Sequence, residues 1–452
     1  MRTISPLIIS ILLAGVMACR HAAEQPAQTG TPGVAKSSRH EEPKPSDPYF
    51  AQFHPRLAPK PSALLLRPGD RLAICGDSIT EQKMYSRILE TYLTVCTPEL
   101  NISTRQYGWS GETAPGFLAR MTNDCLRFQP TIATTCYGMN DHRYRPYEPA
   151  IGEQYKQAST AIGGAFKSAG ARVVHGSPGC VGLVPRWSKF TNATKDELNL
   201  NLCELRNIGI DIAQSQKISF ADVFWPMLKA DHSARQKYGP DYAVPGKDGV
   251  HPGWAGQVVM AYAFLKAFGL DGEIGTFIVD PAKNEAQVSR GHEVVSFTDG
   301  NLEIRSQRYP FCLGAGDVTK DDNIRSGTTL VPFNQDLNRL MLVVRRHRAK
   351  NYKVTWGAET KNYSAAQLSK GVNLADDFAV NPFSEAFEKV DKAVAAKQTY
   401  ETRQIKSHFH GPPGKSDMEA TVLKTEAERL TLVAAIKSAV VPVTHTIRIE
   451  AE

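Results

Sequence analysis

The stretch AICGDSITE, residues 73–81, sets small and apolar residues directly before a polar cluster. It reads as a buried strand that stops at Gly76 and hands over to Asp77, Ser78 and Thr80. Open α/β sheets put their chemistry at strand ends of this kind. Ser78 is a candidate nucleophile. It is equally an ordinary turn serine unless the chain also supplies a base, an orienting acid and oxyanion donors.

Apolar strand-like runs recur at residues 131–136, 171–175 and 218–223, with a weaker one at 101–106. Between them, 85–95, 116–128, 151–169 and 195–214 look helical, and 254–268 closes the series. Alternating β and α elements predict a mainly parallel sheet covered on both faces. After Asp271 the texture changes. β-branched and aromatic residues gather around turn signals, and Asp299-Gly300 marks a hairpin. Residues 364–404 turn helical with a break at Asn381-Pro382, 417–438 is a further helix, and VTHTIRIE is a last strand. This is a second, α+β region. Its aromatics Trp356, Tyr363 and Phe378 either stack on sugar rings or, as favoured, form a core. GVNLAD, 371–376, is a possible lid.

At 452 residues two domains are the natural expectation. Hydrophobic content of 42% and charged content of 22% are ordinary for a globular chain. The net charge of +7 comes without a dense basic block carrying interleaved aromatics. VVRRHR at 343–348 reads as the solvated end of a strand, so no nucleic-acid partner is expected. The first residues carry Arg2, a short apolar core and then Ala18-Cys19, too short to span a bilayer comfortably. The pattern resembles a bacterial lipoprotein signal with Cys19 lipidated; an ordinary cleaved signal is the alternative. Either implies export, to the periplasm or outer membrane, with membrane association only through the anchor. The expected organisation is signal 1–19, disordered tether 20–63, catalytic domain 64–272 and α+β accessory region 273–452. Cys180 with Cys203 is a conceivable bridge, and no cysteine spacing resembles a zinc site.

Four short blocks carry the chemistry. GDSITE follows the first strand. YGWSGET, 107–113, follows the second, and YGMND, 137–141, follows the third. DGVHPGWAGQ, 248–257, precedes the last helix of the α/β unit. An esterase needs a nucleophile, for which Ser78 is the candidate. It needs a general base, which His251 supplies. It needs an acid to fix the imidazole, and Asp248 is three residues away. Oxyanion donors are available in the backbone N–H groups of Ser78 and Gly111 and the side chain of Asn140.

These blocks resemble those of the SGNH (GDSL) hydrolase superfamily, in family order, over residues 66–270. The resemblance implies a three-layer α/β/α sandwich with a five-stranded parallel sheet. It implies Ser78 as nucleophile, His251 and Asp248 as base and acid, and Ser78, Gly111 and Asn140 as the oxyanion hole, with no cofactor. Trp109 and its neighbours depart from the family pattern. Asp77, Trp109, Asp141 and His142 are candidate substrate contacts. Ser110 is a rival nucleophile that lacks the G-x-S-x-G elbow, and a structural role is preferred for it. His142 and His175 fall near strand ends and are more often packed histidines. His408 and His410 read as loop residues.

The implied function is that of an exported serine esterase hydrolysing O-acyl, above all O-acetyl, esters on carbohydrate. The alternatives are an envelope glycan O-acyltransferase, a lipase- or lysophospholipase-type esterase, and a non-catalytic glycan-binding protein. Oligomeric state is open.

Overall fold

Strand β1 (Arg71–Gly76) alternates between two cores. Leu72 and Ile74 pack on one side of the sheet, Ala73 and Cys75 on the other, and all four are buried. A strand covered on both faces must be apolar throughout, which is why the opening run is continuous rather than alternating. The computed structural model describes residues 40–61 and 63–452. The expected signal and Cys19 lie outside the described residues.

Strands β2 (Ser103–Gln106), β3 (Ile132–Cys136), β4 (Arg172–Gly176) and β5 (Ser219–Ala221) complete a five-stranded sheet of order β2-β1-β3-β4-β5. Every pairing in it is parallel. The flanking elements are α1 (Ser78–Glu81), α2 (Tyr85–Val95), α3 (Ala114–Asp124), α4 (Pro149–Ser168), α5 (Lys195–Gln216), α6 (Phe224–Tyr238) and α7 (Trp254–Ala267). This is the expected three-layer sandwich. The chain leaves β1 toward β2 on one side and returns to β3 on the other. The loops after β1 and β3 therefore diverge and open a crevice at the carboxyl edge. Helix α6 has no counterpart in the sequence reading; Pro226 stands in its first turn, where a missing N–H costs nothing.

The expected tether needs correction where it is described. Residues 48–52 form a 3-10 turn capped by Asp47, and Phe50 and Phe53 are fully buried. Phe50 meets Trp225 edge-on at 5.6 Å, and Arg206 holds Asp222 and the Arg56 carbonyl. Two phenylalanines in a polar, Pro-rich context carry no periodicity, so composition alone reads as disorder.

Strands β6 (Glu273–Asp280), β7 (Glu285–Val288), β8 (His292–Thr298), β9 (Asn301–Ser306), β10 (Arg339–Val344), β11 (Asn351–Trp356), β12 (Glu359–Ser364), β13 (Val372–Asn373) and β14 (Val443–Ala451) build two more sheets. Their orders are β13-β10-β6-β7 and β12-β11-β14-β9-β8. Asp299 and Gly300 both have positive φ between paired Thr298 and Asn301, the two-residue hairpin turn expected. Trp356, Tyr363 and Phe378 are buried, in keeping with a core role. GVNLAD is no lid: its Val372 and Asn373 pair with β10.

One hydrophobic cluster runs through both regions, joining Tyr92 and Phe264 to Phe311, Phe333 and Trp356. The helices Ser384–Arg403 and Met418–Ala439 close the outer edge of β2. Lys397 Nζ and Arg429 donate to the Thr104 carbonyl at 2.7 and 2.8 Å, and Glu401 accepts the Gln106 N–H at 3.1 Å. Side chains thus satisfy an edge that would otherwise offer free backbone groups.

Candidate active site

Asp77 caps α1 by accepting the Ile79 N–H at 3.0 Å, which sets Ser78 as the first helical residue. The Ser78 N–H, at a helix start, has no intrahelical acceptor. Ser78 Oγ lies 2.7 Å from His251 Nε2, and His251 Nδ1 lies 2.7 Å from Asp248 Oδ2. The other oxygen of Asp248 accepts the N–H groups of Val250 and His251, each at 2.9 Å. Burial opposes the ionised carboxylate. The backbone N–H groups and the imidazole outweigh it and hold Asp248 below the usual carboxylate range. With Nδ1–H given to Asp248, Nε2 is left to accept the Ser78 proton.

The donors are set by the two neighbouring loops. Gly111 has φ +75°, and a Cβ there would meet nothing within 4 Å, so its backbone borders open space. Gly108 permits a close approach, since a Cβ there would stand 2.2 Å from the Glu81 N. Asn140 Nδ2 donates one hydrogen to the Glu112 carbonyl at 3.0 Å, and Tyr144 OH donates to Asn140 Oδ1 at 3.1 Å. One amide hydrogen of Asn140 remains for a ligand. Arg143 and Tyr144 are consecutive non-glycine residues with φ +56° and +52°. That costs of order 1–3 kcal/mol each and is found where function over-determines the backbone.

The other candidates fall into supporting roles. Asp77 is 2% exposed, Asp141 8% and His142 0%, which corrects their reading as substrate contacts. Asp141 ties the loops together, accepting from Ala114 N at 3.0 Å and Gly138 N at 2.9 Å. Desolvation raises Asp77 to about 7 and Asp141 to about 6. His142 bonds the Met139 carbonyl through Nδ1, and burial lowers it to about 4. Half-buried Trp109 carries the Arg120 guanidinium and the Lys406 ammonium over its ring, at 5.0 and 5.1 Å. Ser110 Oγ donates to Glu81 at 2.7 Å, so the rival serine serves a carboxylate and not an imidazole. His175 is buried between Thr135 and Tyr155. His408 lies within the helical turn Gln404–Phe409 and not in a loop, whereas His410, just beyond it, meets Trp109 edge-on at 5.0 Å and Asp124 at 2.8 Å.

Three neighbours of the site were assigned no role from the sequence, although Gln257 ends the fourth block. Gln257, fully buried, accepts the Tyr85 N–H at 3.0 Å and donates to Gln82 at 2.9 Å and the Pro252 carbonyl at 3.3 Å. Trp187 is 47% exposed and lies 5.7 Å from the His251 ring and 6.1 Å from Tyr144. Lys406 reaches the site from the far end of the chain. Among the described residues no group of three or more His, Cys, Asp or Glu side chains could hold a metal ion. All seven cysteines from Cys75 to Cys312 are free and buried, so Cys180 and Cys203 form no bridge.

Residues 74–259 match the family model of the GDSL-like lipase/acylhydrolase family. No curated protein matches the chain. Among solved structures, BT4096, a gut microbial diltiazem-metabolizing enzyme, aligns with TM-score 0.68 at 20% identity, over 87% of this chain and 99% of that one. A putative GDSL-like lipase from Parabacteroides merdae aligns at 19% identity over 46% of this chain and 99% of that one, with TM-score 0.39. Axe2, an acetylxylan esterase from Geobacillus stearothermophilus, aligns at 20% identity over 46% and 97%, with TM-score 0.37. The first likeness gives the fold of both regions together.

Proposed function

We propose, on the match of residues 74–259 to the GDSL-like lipase/acylhydrolase family model, that the protein is a serine ester hydrolase acting through Ser78, His251 and Asp248. The observation that carries the reading is the unbroken chain Ser78 Oγ–His251 Nε2, His251 Nδ1–Asp248, with both links at 2.7 Å. Ser78 Oγ attacks the ester carbonyl carbon and its proton passes to His251 Nε2. Asp248 stabilises the imidazolium. The oxyanion takes hydrogen bonds from the Ser78 and Gly111 N–H groups and from Asn140 Nδ2. Collapse expels the alcohol with the proton from His251. Water then attacks the acyl-enzyme with His251 as base, releasing the acid and restoring Ser78.

The proposed substrate is an O-acetyl group on carbohydrate. Trp187 supports it: an exposed indole beside the general base offers a face on which a sugar ring can stack. The amino-terminal sequence supports an exported enzyme held at the envelope, with a lipid on Cys19 as its only membrane contact. The test is acetate release from a panel of acetylated glycans, with 4-nitrophenyl acetate as a small ester. Trp187→Ala should raise the KM for glycan esters and leave the small ester unaffected. Equal activity of the variant on both would remove Trp187 from the alcohol site. Acyl groups appearing on added acceptor sugars, in place of free acetate, would make the enzyme a transferase.

A further inference from the structure

We infer that Lys406, in the helical turn Gln404–Phe409 of the second region, is a positioning residue for the oxyanion loop of the first. The inference rests on Gly111 being an oxyanion donor. Lys406 Nζ binds both oxygens of Glu81, at 2.9 and 3.0 Å. Glu81 is the last residue of α1, the helix that Ser78 begins. Its Oε2 also accepts the Ser110 N–H at 2.5 Å and the Ser110 hydroxyl at 2.7 Å. The peptide unit next along the chain presents the Gly111 N–H. A single carboxylate therefore joins the nucleophile helix to the donor loop, and Lys406 neutralises and orients it.

Two further contacts bring the same segment onto the same loop. Lys406 stands over the Trp109 ring, and His410 meets that ring edge-on while pairing with Asp124. Gln404 binds Glu426 at 2.7 Å, which ties the turn back to the Met418–Ala439 helix. The turn itself is a π-type segment at the end of a long α-helix, a distortion that recurs at functional positions. Glu81 and Lys406 keep only 18% and 31% of their side-chain surfaces exposed. Without the ammonium, Glu81 loses its ionic partner beside the reacting serine and its hold on Ser110 loosens. The second region then has a role in turnover: it holds the geometry at which the transition state is stabilised.

The experiment compares Lys406→Met, Lys406→Arg and Ser110→Ala with Asp391→Asn. The last breaks the Arg87–Asp391 pair between the same two regions and touches nothing at the site. Lys406→Met is expected to lower kcat by about ten- to a hundred-fold, as small misplacements of reacting groups do. KM should change little, Lys406→Arg should recover most of the loss, and Ser110→Ala should fall in the same direction. Combining Lys406→Met with Ser110→Ala should cost less than the product of the two. Asp391→Asn should lower Tm and leave kcat unchanged. Unchanged kcat in Lys406→Met, or a loss matched by Asp391→Asn at equal Tm, overturns the inference. Activity surviving in Ser78→Ala would instead overturn the reading on which it rests.

Discussion

Asn140 owes its aim to two neighbours, the Glu112 carbonyl and the Tyr144 hydroxyl, and the paired left-handed residues Arg143 and Tyr144 hold the second of them in place. A donor held in this way meets full negative charge only in the tetrahedral state. Removing one such donor costs about 2.7–4 kcal/mol, or roughly a hundred- to a thousand-fold in turnover. Asn140→Ala should lower kcat by that order with KM little changed, read from steady-state kinetics on a small ester. A raised KM at unchanged kcat would make Asn140 a ground-state contact. Asp248→Asn should act differently. An amide in place of the carboxylate favours the wrong imidazole tautomer, and the comparable change in a serine protease costs about ten-thousand-fold. Every residue proposed for the triad and the oxyanion hole was legible in the blocks, because turn chemistry at a strand end must be written locally. Trp187 was not: an aromatic in a long loop looks the same whether it packs or stands free.

Among the elements, the short helix α1 and the block that begins at Asp248 are far apart in sequence yet must stay in register. Gln257, on α7, does this by binding Gln82, the Tyr85 N–H and the Pro252 carbonyl at once. Gln257→Ala leaves the Tyr85 N–H buried without an acceptor, which costs about 1–3 kcal/mol. Chemical unfolding should report that loss, and a variant as stable as wild type would show that water or another group takes the place of the amide. Elements legible in the sequence were those with continuous apolar runs or clear turn signals, such as β1, β3 and the Asp299-Gly300 hairpin. Helix α6 escaped because its large apolar residues, Phe224, Trp225, Met227 and Leu228, crowd its first turns and the rest is mostly polar, so no apolar stripe runs its length. The turn around Phe50 escaped because what buries it, Trp225 and His232, is far away in the sequence.

For the whole molecule, the boundary near residue 272 separates sheets but not cores. The second region is sewn together by a buried polar chain. The Trp356 N–H donates to His445 Nδ1 at 3.1 Å, His445 donates to Ser306 at 3.0 Å, Ser306 to His292 at 2.7 Å, and His292 to the Ile274 carbonyl at 3.1 Å. The first and third links, in which His445 Nδ1 and His292 Nδ1 accept, require neutral imidazoles. Desolvation lowers His445 to about 3, and it also lowers His292. With both imidazoles held below the ordinary histidine value of about 6.5, the unfolded chain binds more protons than the folded one as pH falls through that value. Stability from this chain is therefore full above about pH 6.5 and is lost as pH falls, by up to about 1.4 kcal/mol per pH unit for each histidine. Buried Asp77 and Asp141 titrate in the opposite sense, so the clean readout is a difference. His445→Gln keeps an acceptor and a donor without the titration. The stability gap between wild type and this variant should shift toward the variant between pH 7.5 and pH 5 in urea unfolding. A gap independent of pH would contradict the account.

Ser78 as nucleophile is tested by peptide mass spectrometry after reaction with a serine-reactive organophosphonate. Wild type should carry one adduct, on the peptide holding Ser78, with loss of ester hydrolysis in step with labelling. His251→Ala should label far more slowly, and Ser78→Ala should neither label nor hydrolyse while keeping its Tm. An adduct on Ser110, or labelling and hydrolysis that persist in Ser78→Ala, would contradict the assignment.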